Sequence, residues 1–328
     1  MLKVYSSRSG NLHETVLDGD DLGDDVVWID LLSPTGEEEQ AVERALGLDI
    51  PVREQLAEIE ASSRLYAEGG ATFMTATLVV AGGSGKPEID TATFILTGNR
   101  LVTVRYCQPK AFEIFVRDMA SVQRQCPDTG LGILIGLIET IVDRAADHLE
   151  RVGSVIHETS RDLFESVEAH RRTKDHRVLL RRVGQEGDFT SDVRESLVSL
   201  GRLVAFVVAA VEPDMGRTPL ARTHRAHLKT VQRDINSLTD HASFLSDKIS
   251  FLLSATLGMV SIEQNDIIKV FTVAAVALLP PTLIASIYGM NFEHMPELGW
   301  RFGYPASITV MVLSAVLPFL YFRRKGWV

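Results

Sequence analysis

Cysteine is scarce. Two occur in 328 residues, Cys107 and Cys126, and they form no C-x-x-C pair, so a thiolate zinc site is not expected. Basic charge is also short. Lys and Arg number 33 against 43 Asp and Glu, a net charge of −10 that argues against nucleic acid, which favours a basic face. The acidic excess suits a protein that handles cations, and it suits an ordinary cytosolic domain equally. The G-x-x-x-x-G-K-[ST] phosphate loop, H-E-x-x-H and G-x-S-x-G are all missing, and the His and Asp residues of the first two hundred positions show no catalytic spacing. An enzyme is therefore not expected, and direct drive by ATP has no visible basis. The opening Met1-Leu2-Lys3-Val4-Tyr5 has no apolar h-region, so no signal peptide is expected and the N-terminal region is assigned to the cytoplasm.

The first 128 residues carry the pattern of an α+β domain, a mixed sheet with helices. Val26–Leu31 reads as a short buried strand, and Thr72–Val80, Thr91–Leu96 and Leu101–Tyr106 as further strands rich in Thr, Val, Ile and Phe. Turns fall at Gly82-Gly83-Ser84-Gly85 and Gly98-Asn99-Arg100. Ser33-Pro34-Thr35-Gly36-Glu37 opens an amphipathic helix through Leu46, with Ser33 or Thr35 as cap and glutamates in the first turn to suit its dipole. Residues 129–216 read as helical. The apolar run Leu131–Val142 is too short for a bilayer span of about 20 residues and contains Glu139, so it is expected to be a buried core helix. Arg171-Arg172 and Arg181-Arg182 read as solvated faces.

A long helix is expected from Thr218-Pro219, with threonine capping and proline at the first helical position. Along it Leu228, Val231, Ile235, Leu238, Ala242, Leu245, Ile249, Leu252, Thr256 and Met259 recur at alternating threes and fours, a heptad seam. Such a seam serves either a helix packed in a bundle of its own chain or a self-associating stalk. Its continuity with a membrane segment favours the stalk, so residues 217–288 are assigned to a stalk helix running into a first span at about 267–288.

That span carries one charge, Lys269. A second apolar run covers 304–322. Both are long enough for a bilayer about 30 Å thick; the alternative is a helical hairpin buried in a soluble core. Arg323-Arg324-Lys325 follow the second run, whereas the connecting loop 289–303 holds only Arg301. The positive-inside rule then puts both termini in the cytoplasm and the loop outside, with 323–328 a basic cytoplasmic tail. Trp300, Tyr304, Tyr321 and Trp327 suit interfacial belts.

At the outer end of the first span stands Tyr288-Gly289-Met290-Asn291-Phe292, followed by Glu293-His294-Met295-Pro296-Glu297-Leu298 and preceded by Pro280-Pro281-Thr282-Leu283-Ile284-Ala285-Ser286-Ile287. Here the chain resembles the CorA family of magnesium transporters, whose signature is Gly-Met-Asn at this place. The likeness is close over roughly the last sixty residues and one of general layout before them. It implies a homopentamer in the inner (plasma) membrane that carries Mg²⁺, with Co²⁺ and Ni²⁺ as further cargo, and a selectivity filter at Gly289, Met290 and Asn291. It also implies pore-lining positions at Asn265, Leu279 and Thr282, with Phe271 at a constriction. Cytoplasmic Mg²⁺ bound between subunits would act as negative feedback. Asp234, Asp240 and Asp247 are candidate carboxylates for that role, although Ser254 and Thr230 stand where the family pattern favours acids.

The residues themselves point the same way. Mg²⁺ prefers oxygen, demands octahedral geometry and dehydrates reluctantly, so a fast pore is expected to hold the hydrated ion with neutral oxygens. Asn291 offers such an oxygen; its alternative role is a helix C-cap. Steps of three and four from Asn265 give Ile268, Thr272, Ala275, Leu279, Thr282, Ser286 and Gly289, a stripe of polar and apolar rings. Its polar members can meet ion-bound water, and Ile268 and Leu279 can gate by dewetting. The alternative is hydroxyls bonded within the helix and a Leu279 that faces lipid. Glu293 and Glu297 can concentrate cations at the outer mouth, or be solvated loop charges; His294 reads as a loop residue. Two competing functions remain: a proton-coupled zinc transporter of the same superfamily, and a membrane sensor that transports nothing.

Overall fold

Val26–Leu32 forms a strand because its apolar run is bounded by polar turns, and it is buried on both faces. Alternation along it sends Ile29 and Leu31 to one side and Trp28 and Asp30 to the other. The computed structural model describes residues 1–8, 11–15, 22–53, 60–82, 87–120, 127–168, 176–211, 219–291 and 295–327, with backbone alone at 61–62, 165–168, 211, 219–220 and 297–298. The turn at Gly83-Ser84-Gly85, the cap Thr218, Arg171-Arg172 and Cys126 lie outside the described residues.

Seven strands make one sheet: β1 (Leu2–Arg8), β2 (Asn11–Thr15), β3 (Val26–Leu32), β4 (Leu65–Glu68), β5 (Ala71–Ala81), β6 (Pro87–Thr97) and β7 (Arg100–Arg105). Their order is β2-β1-β3-β7-β6-β5-β4. The central pair β3 and β7 runs parallel, with Asp30 opposite Thr103; the other neighbours are antiparallel. β3, β5, β6 and β7 stand where apolar and β-branched runs predict strands. β1, β2 and β4 are additions.

Helix α1 (Gly36–Leu46) covers the side holding Ile29, Leu31, Ile95, Val102 and Val104. Thr35 and Glu38 form its capping box, and Gly47 ends it at φ 66°. Glu38 also binds the chain's first amino group at 2.8 Å, which ties β1 down. On the other side Trp28 stacks on Tyr5 with centroids 4.6 Å apart and meets Phe115 edge-on at 5.9 Å. The same side holds a buried ion pair: Arg105 Nε and Nη2 donate to Asp30 Oδ1 and Oδ2 at 3.0 and 2.7 Å.

After the short α2 (Ala61–Arg64) and α3 (Lys110–Met119) come α4 (Gly130–Glu168) and α5 (His176–Val211). The Leu131–Val142 run opens α4 and is buried at Ile133, Leu134, Leu137 and Ile138. Gly136 permits the approach of α3, since a Cβ there would come within 2.7 Å of Phe115. Arg151 pairs with Glu186 and Arg182 with Glu158, so α4 and α5 run antiparallel.

Helix α6 (Pro219–Tyr288) is a single helix of 70 residues. Its seam residues Leu228, Val231, Ile235, Ala242, Leu245, Ile249 and Leu252 are buried. A Cβ built on Gly201 or Gly187 of α5 would stand 3.3 or 3.4 Å from Ile235 or Ile249. This corrects the expectation of a self-associating seam: over this length the seam packs on its own chain, because α4 and α5 supply the apolar surface it needs. The heptad period specifies which side of a helix is buried and is silent about the partner.

The chain divides into two units, Met1–Leu252 and Leu253–Val328. The second holds the end of α6, a 3-10 turn at Pro296–Gly299 and helix α7 (Gly303–Arg324).

Candidate functional site

The last third of α6 and all of α7 are long and apolar enough to cross a membrane. At 1.5 Å per residue α7 is about 33 Å long. A hairpin sunk in a soluble core would be covered, yet only 6% of each apolar window is buried. Exposed Leu278, Leu279, Leu283, Val310, Leu313 and Leu317 need an apolar surrounding that the described residues do not supply.

Because α6 is continuous past Asn265, one helical turn every 3.6 residues fixes where the candidate stripe falls. Asn265, Ile268, Thr272, Ala275, Leu279, Thr282 and Ser286 share about 100° of arc, and Phe271 and Gly289 lie about 20° beyond its edge. Thr272 is half-buried, and the other stripe residues and Phe271 are exposed. The far side of the helix is the covered one: Val273 is 5% exposed, and Lys269, Ala277, Pro280 and Ile284 are half-buried. A stripe exposed at every position but Thr272 is open to lipid or to further copies.

Both stripe threonines bond within the helix. Thr272 Oγ1 donates to Ile268 O at 2.7 Å, and Thr282 Oγ1 to Leu278 O at 2.8 Å. Each hydroxyl proton is thereby occupied while the oxygen's lone pairs remain, so the side chain presents an acceptor. The water shell of a cation presents donors. The helix-internal bond and a role toward hydrated ions are therefore compatible.

Pro280 and Pro281 sit inside α6. Lacking N–H groups, they leave the carbonyls of Val276 and Ala277 without their usual helical donors. Asp266 was not among the expected site residues; its carboxylate holds Lys269 at 2.8 Å. The i, i+3 spacing was the available signal, and the pairing answers the one charge of the first span.

The helix ends at Tyr288. Gly289 N donates to Ala285 O at 2.9 Å and Met290 N to Ile287 O at 3.2 Å, closing the final turn with backbone donors. A Cβ at Gly289 would stand 3.1 Å from Ala285 O, so the chain turns tightly here. Met290 and Asn291 follow, both exposed. Phe292, Glu293 and His294 lie outside the described residues, as does the side chain of Glu297, whose backbone lies in the 3-10 turn.

Asp234, Asp240 and Asp247 are exposed on α6. Asp240 and Asp247 share a side, and Asp234 points about 120° away, so one chain does not gather the three. Among the described residues no group of three His, Cys, Asp or Glu side chains is placed to hold a metal ion.

A family model described as CorA-like Mg2+ transporter protein matches residues 23–324. The chain belongs to that family. Membership spans the sheet domain as well as the two apolar helices, well beyond the last sixty residues. Curated relatives agree along all or nearly all of their length. The magnesium transport protein CorA of Pectobacterium atrosepticum is 33% identical over 327 residues, 100% of both chains. That of Escherichia coli strain K12 is 35% identical over 301 residues, 92% of each. Among solved structures, the complete CorA magnesium transporter of Methanocaldococcus jannaschii superposes with a TM-score of 0.77 at 16% identity, covering 100% of this chain and 99% of that one. The full-length CmaX protein gives 0.71, also at 16% identity, over 100% and 98%. These structures support the CorA fold: a mixed-sheet domain with helices, a long helix, and a C-terminal helix able to span a membrane.

Proposed function

We propose that this CorA-family chain carries divalent cations, Mg²⁺ foremost and Co²⁺ or Ni²⁺ as further cargo, across the inner membrane with both termini in the cytoplasm. Several copies, five by family resemblance, set the α6 stripe around a common axis. The observation that carries this reading is the stripe itself: acceptors at Asn265, Thr282 and the half-buried Thr272 and apolar, exposed Ile268, Phe271 and Leu279 lie together on a helix whose far side is covered. The names of the relatives supply the ion.

The chemistry follows from the cation. Stripping the shell of Mg²⁺ is costly and slow, so the ring of Asn291 carbonyls and the tight Gly289 turn receive it with water attached. Threonine and asparagine oxygens then accept from the bound waters at successive levels. Ile268, Phe271 and Leu279 form collars that close by excluding water. Glu293 and Glu297 raise the local cation concentration at the mouth. No bond chemistry drives the flow. The membrane potential gives about 2.3 kcal/mol per charge per 100 mV, hence about 4.6 for a doubly charged ion.

The test is uptake into proteoliposomes that contain the purified chain, comparing Mg²⁺ and Zn²⁺ with and without a pH gradient, for wild type and Asn291→Ala. Voltage-sensitive Mg²⁺ entry that ignores pH and is lost in the variant is the expected result. Zn²⁺ entry that follows the pH gradient would move the chain to proton-coupled zinc transport. Flux of neither ion from a folded preparation would leave a sensor.

A further inference from the structure

Helix α5 places Ser191, Arg194, Glu195, Val198, Ser199 and Arg202 at intervals that share one side. This side lines a groove of about 670 Å³ within the unit that ends at Leu252. Across the groove stand Arg64, the last residue of α2, and Thr77 of β5, and Ser246 of α6 lines it as well. Arg64 Nη1 donates to Thr77 Oγ1 at 3.2 Å, and Thr77 N donates to Ser199 Oγ at 3.0 Å, so the two walls are bonded together.

Three guanidiniums from two elements converge on this concavity, and among the described residues Glu195 is the one carboxylate that lines it. Arg194 and Arg202 are exposed, and among the described residues no ion pair holds either. A lone surface arginine is ordinarily just solvated. Three around one recess raise the positive potential inside it, and a recess focuses that potential. Planar guanidinium forks match the oxygens of phosphate, two bonds at a time. Ser191 and Ser246 donate their hydroxyl protons to Gly187 O and Ala242 O, whereas the Thr77 and Ser199 hydroxyl oxygens accept and keep their protons for the remaining phosphate oxygens. The volume falls in the range of small-molecule sites, about 300–1,000 Å³, and accommodates more than one phosphate.

We propose that this groove binds a soluble, multiply charged phosphate compound of pyrophosphate to nucleotide size. Its charge has the wrong sign for a cation, so it is separate from both the pore stripe and the carboxylates of α6. The ligand would touch the sheet through Arg64 and Thr77, and α6, the helix that carries the stripe, through Ser246.

The experiment is titration calorimetry of the full-length chain in detergent, in metal-free buffer, with inorganic pyrophosphate as probe and ATP as competitor. Saturable binding that weakens with salt is expected. Arg194→Gln and Arg202→Gln should each weaken it about ten-fold or more, the scale of a lost charge-assisted contact. Glu195→Gln should strengthen it several-fold, a gain that misfolding cannot produce. No saturable heat at millimolar pyrophosphate would overturn the proposal, as would equal binding by the wild type and all three variants. A wild type that binds no pyrophosphate, combined with an Arg194→Gln variant whose oligomer changes mass in light scattering, would overturn it in favour of a contact between copies. None of these outcomes depends on ion uptake, so the groove and the pore are judged separately.

Discussion

Asp30 offers the sharpest test of how the sheet domain is held. It is 2% exposed, and its oxygens accept from Arg105 at 3.0 and 2.7 Å and from Thr103 Oγ1 at 2.7 Å. Thr103 in turn accepts from Trp28 Nε1 at 3.0 Å, and Arg105 Nη1 donates to Cys107 O at 2.9 Å while its guanidinium lies 4.6 Å from the Phe112 ring centre. Asp30→Asn preserves the shape, sets an amide N–H₂ group against a guanidinium donor, and leaves the Arg105 charge inside without a counter-charge. Breaking one side of such a pair costs about 3–5 kcal/mol. For a domain of this size each kcal/mol moves Tm by about 2–4 °C, so the expected fall is about 6–20 °C. Fluorescence of Trp28 in a Trp300→Phe, Trp327→Phe background reads this unfolding at the network itself. The double variant Asp30→Leu, Arg105→Met removes both charges and should recover most of the loss, since an apolar replacement of a buried pair is near neutral. A single variant that melts within 2 °C of its parent, or a double variant no better than the single, would refute the account.

Two further outcomes follow from the same unit. His148 titrates below its ordinary range because burial disfavours its charge and Arg144, Arg151 and Lys110 repel the proton, with Asp147 opposing them. The unfolded chain then binds that proton more readily, so stability should fall as pH drops below about 6.5 and level off below the folded-state value. His148→Gln should flatten this acid limb in denaturant titrations, leaving the slope due to His224, which burial and then His227 also shift downward. Gly130→Ala would drive a methyl into the Arg100–Leu101 peptide, where α4 begins against the sheet. It should cost about 1–3 kcal/mol or more as overpacking, read as a lower denaturant midpoint.

What the residues disclose depends on whether the physics is local. β3, β5, β6 and β7 announce themselves because both faces or one continuous face must be apolar, and α1 because its cap and first-turn acids are adjacent in the chain. β2 and β4 do not, since they are the edges of the sheet and carry exposed polar residues such as His13, Glu14 and Glu68. β1 escaped notice because its pairing with β3 is an agreement between distant segments: Lys3 opposite Asp30, Val4 opposite Ile29. The buried Asp30–Arg105 pair is invisible for the same reason, being 75 positions apart. At the candidate site the balance reverses. The stripe and the Gly289-Met290-Asn291 turn are legible because one uninterrupted helix converts spacing directly into a face, and Gly-Met-Asn is contiguous. What spacing could not supply was which face is covered. The same α6 carries a heptad seam that looks made for another copy and is buried at home, and a stripe that looks like ordinary membrane surface and is bare. Burial in the folded chain separates the two, and it shifts the proposed self-association from the seam to the uncovered stripe.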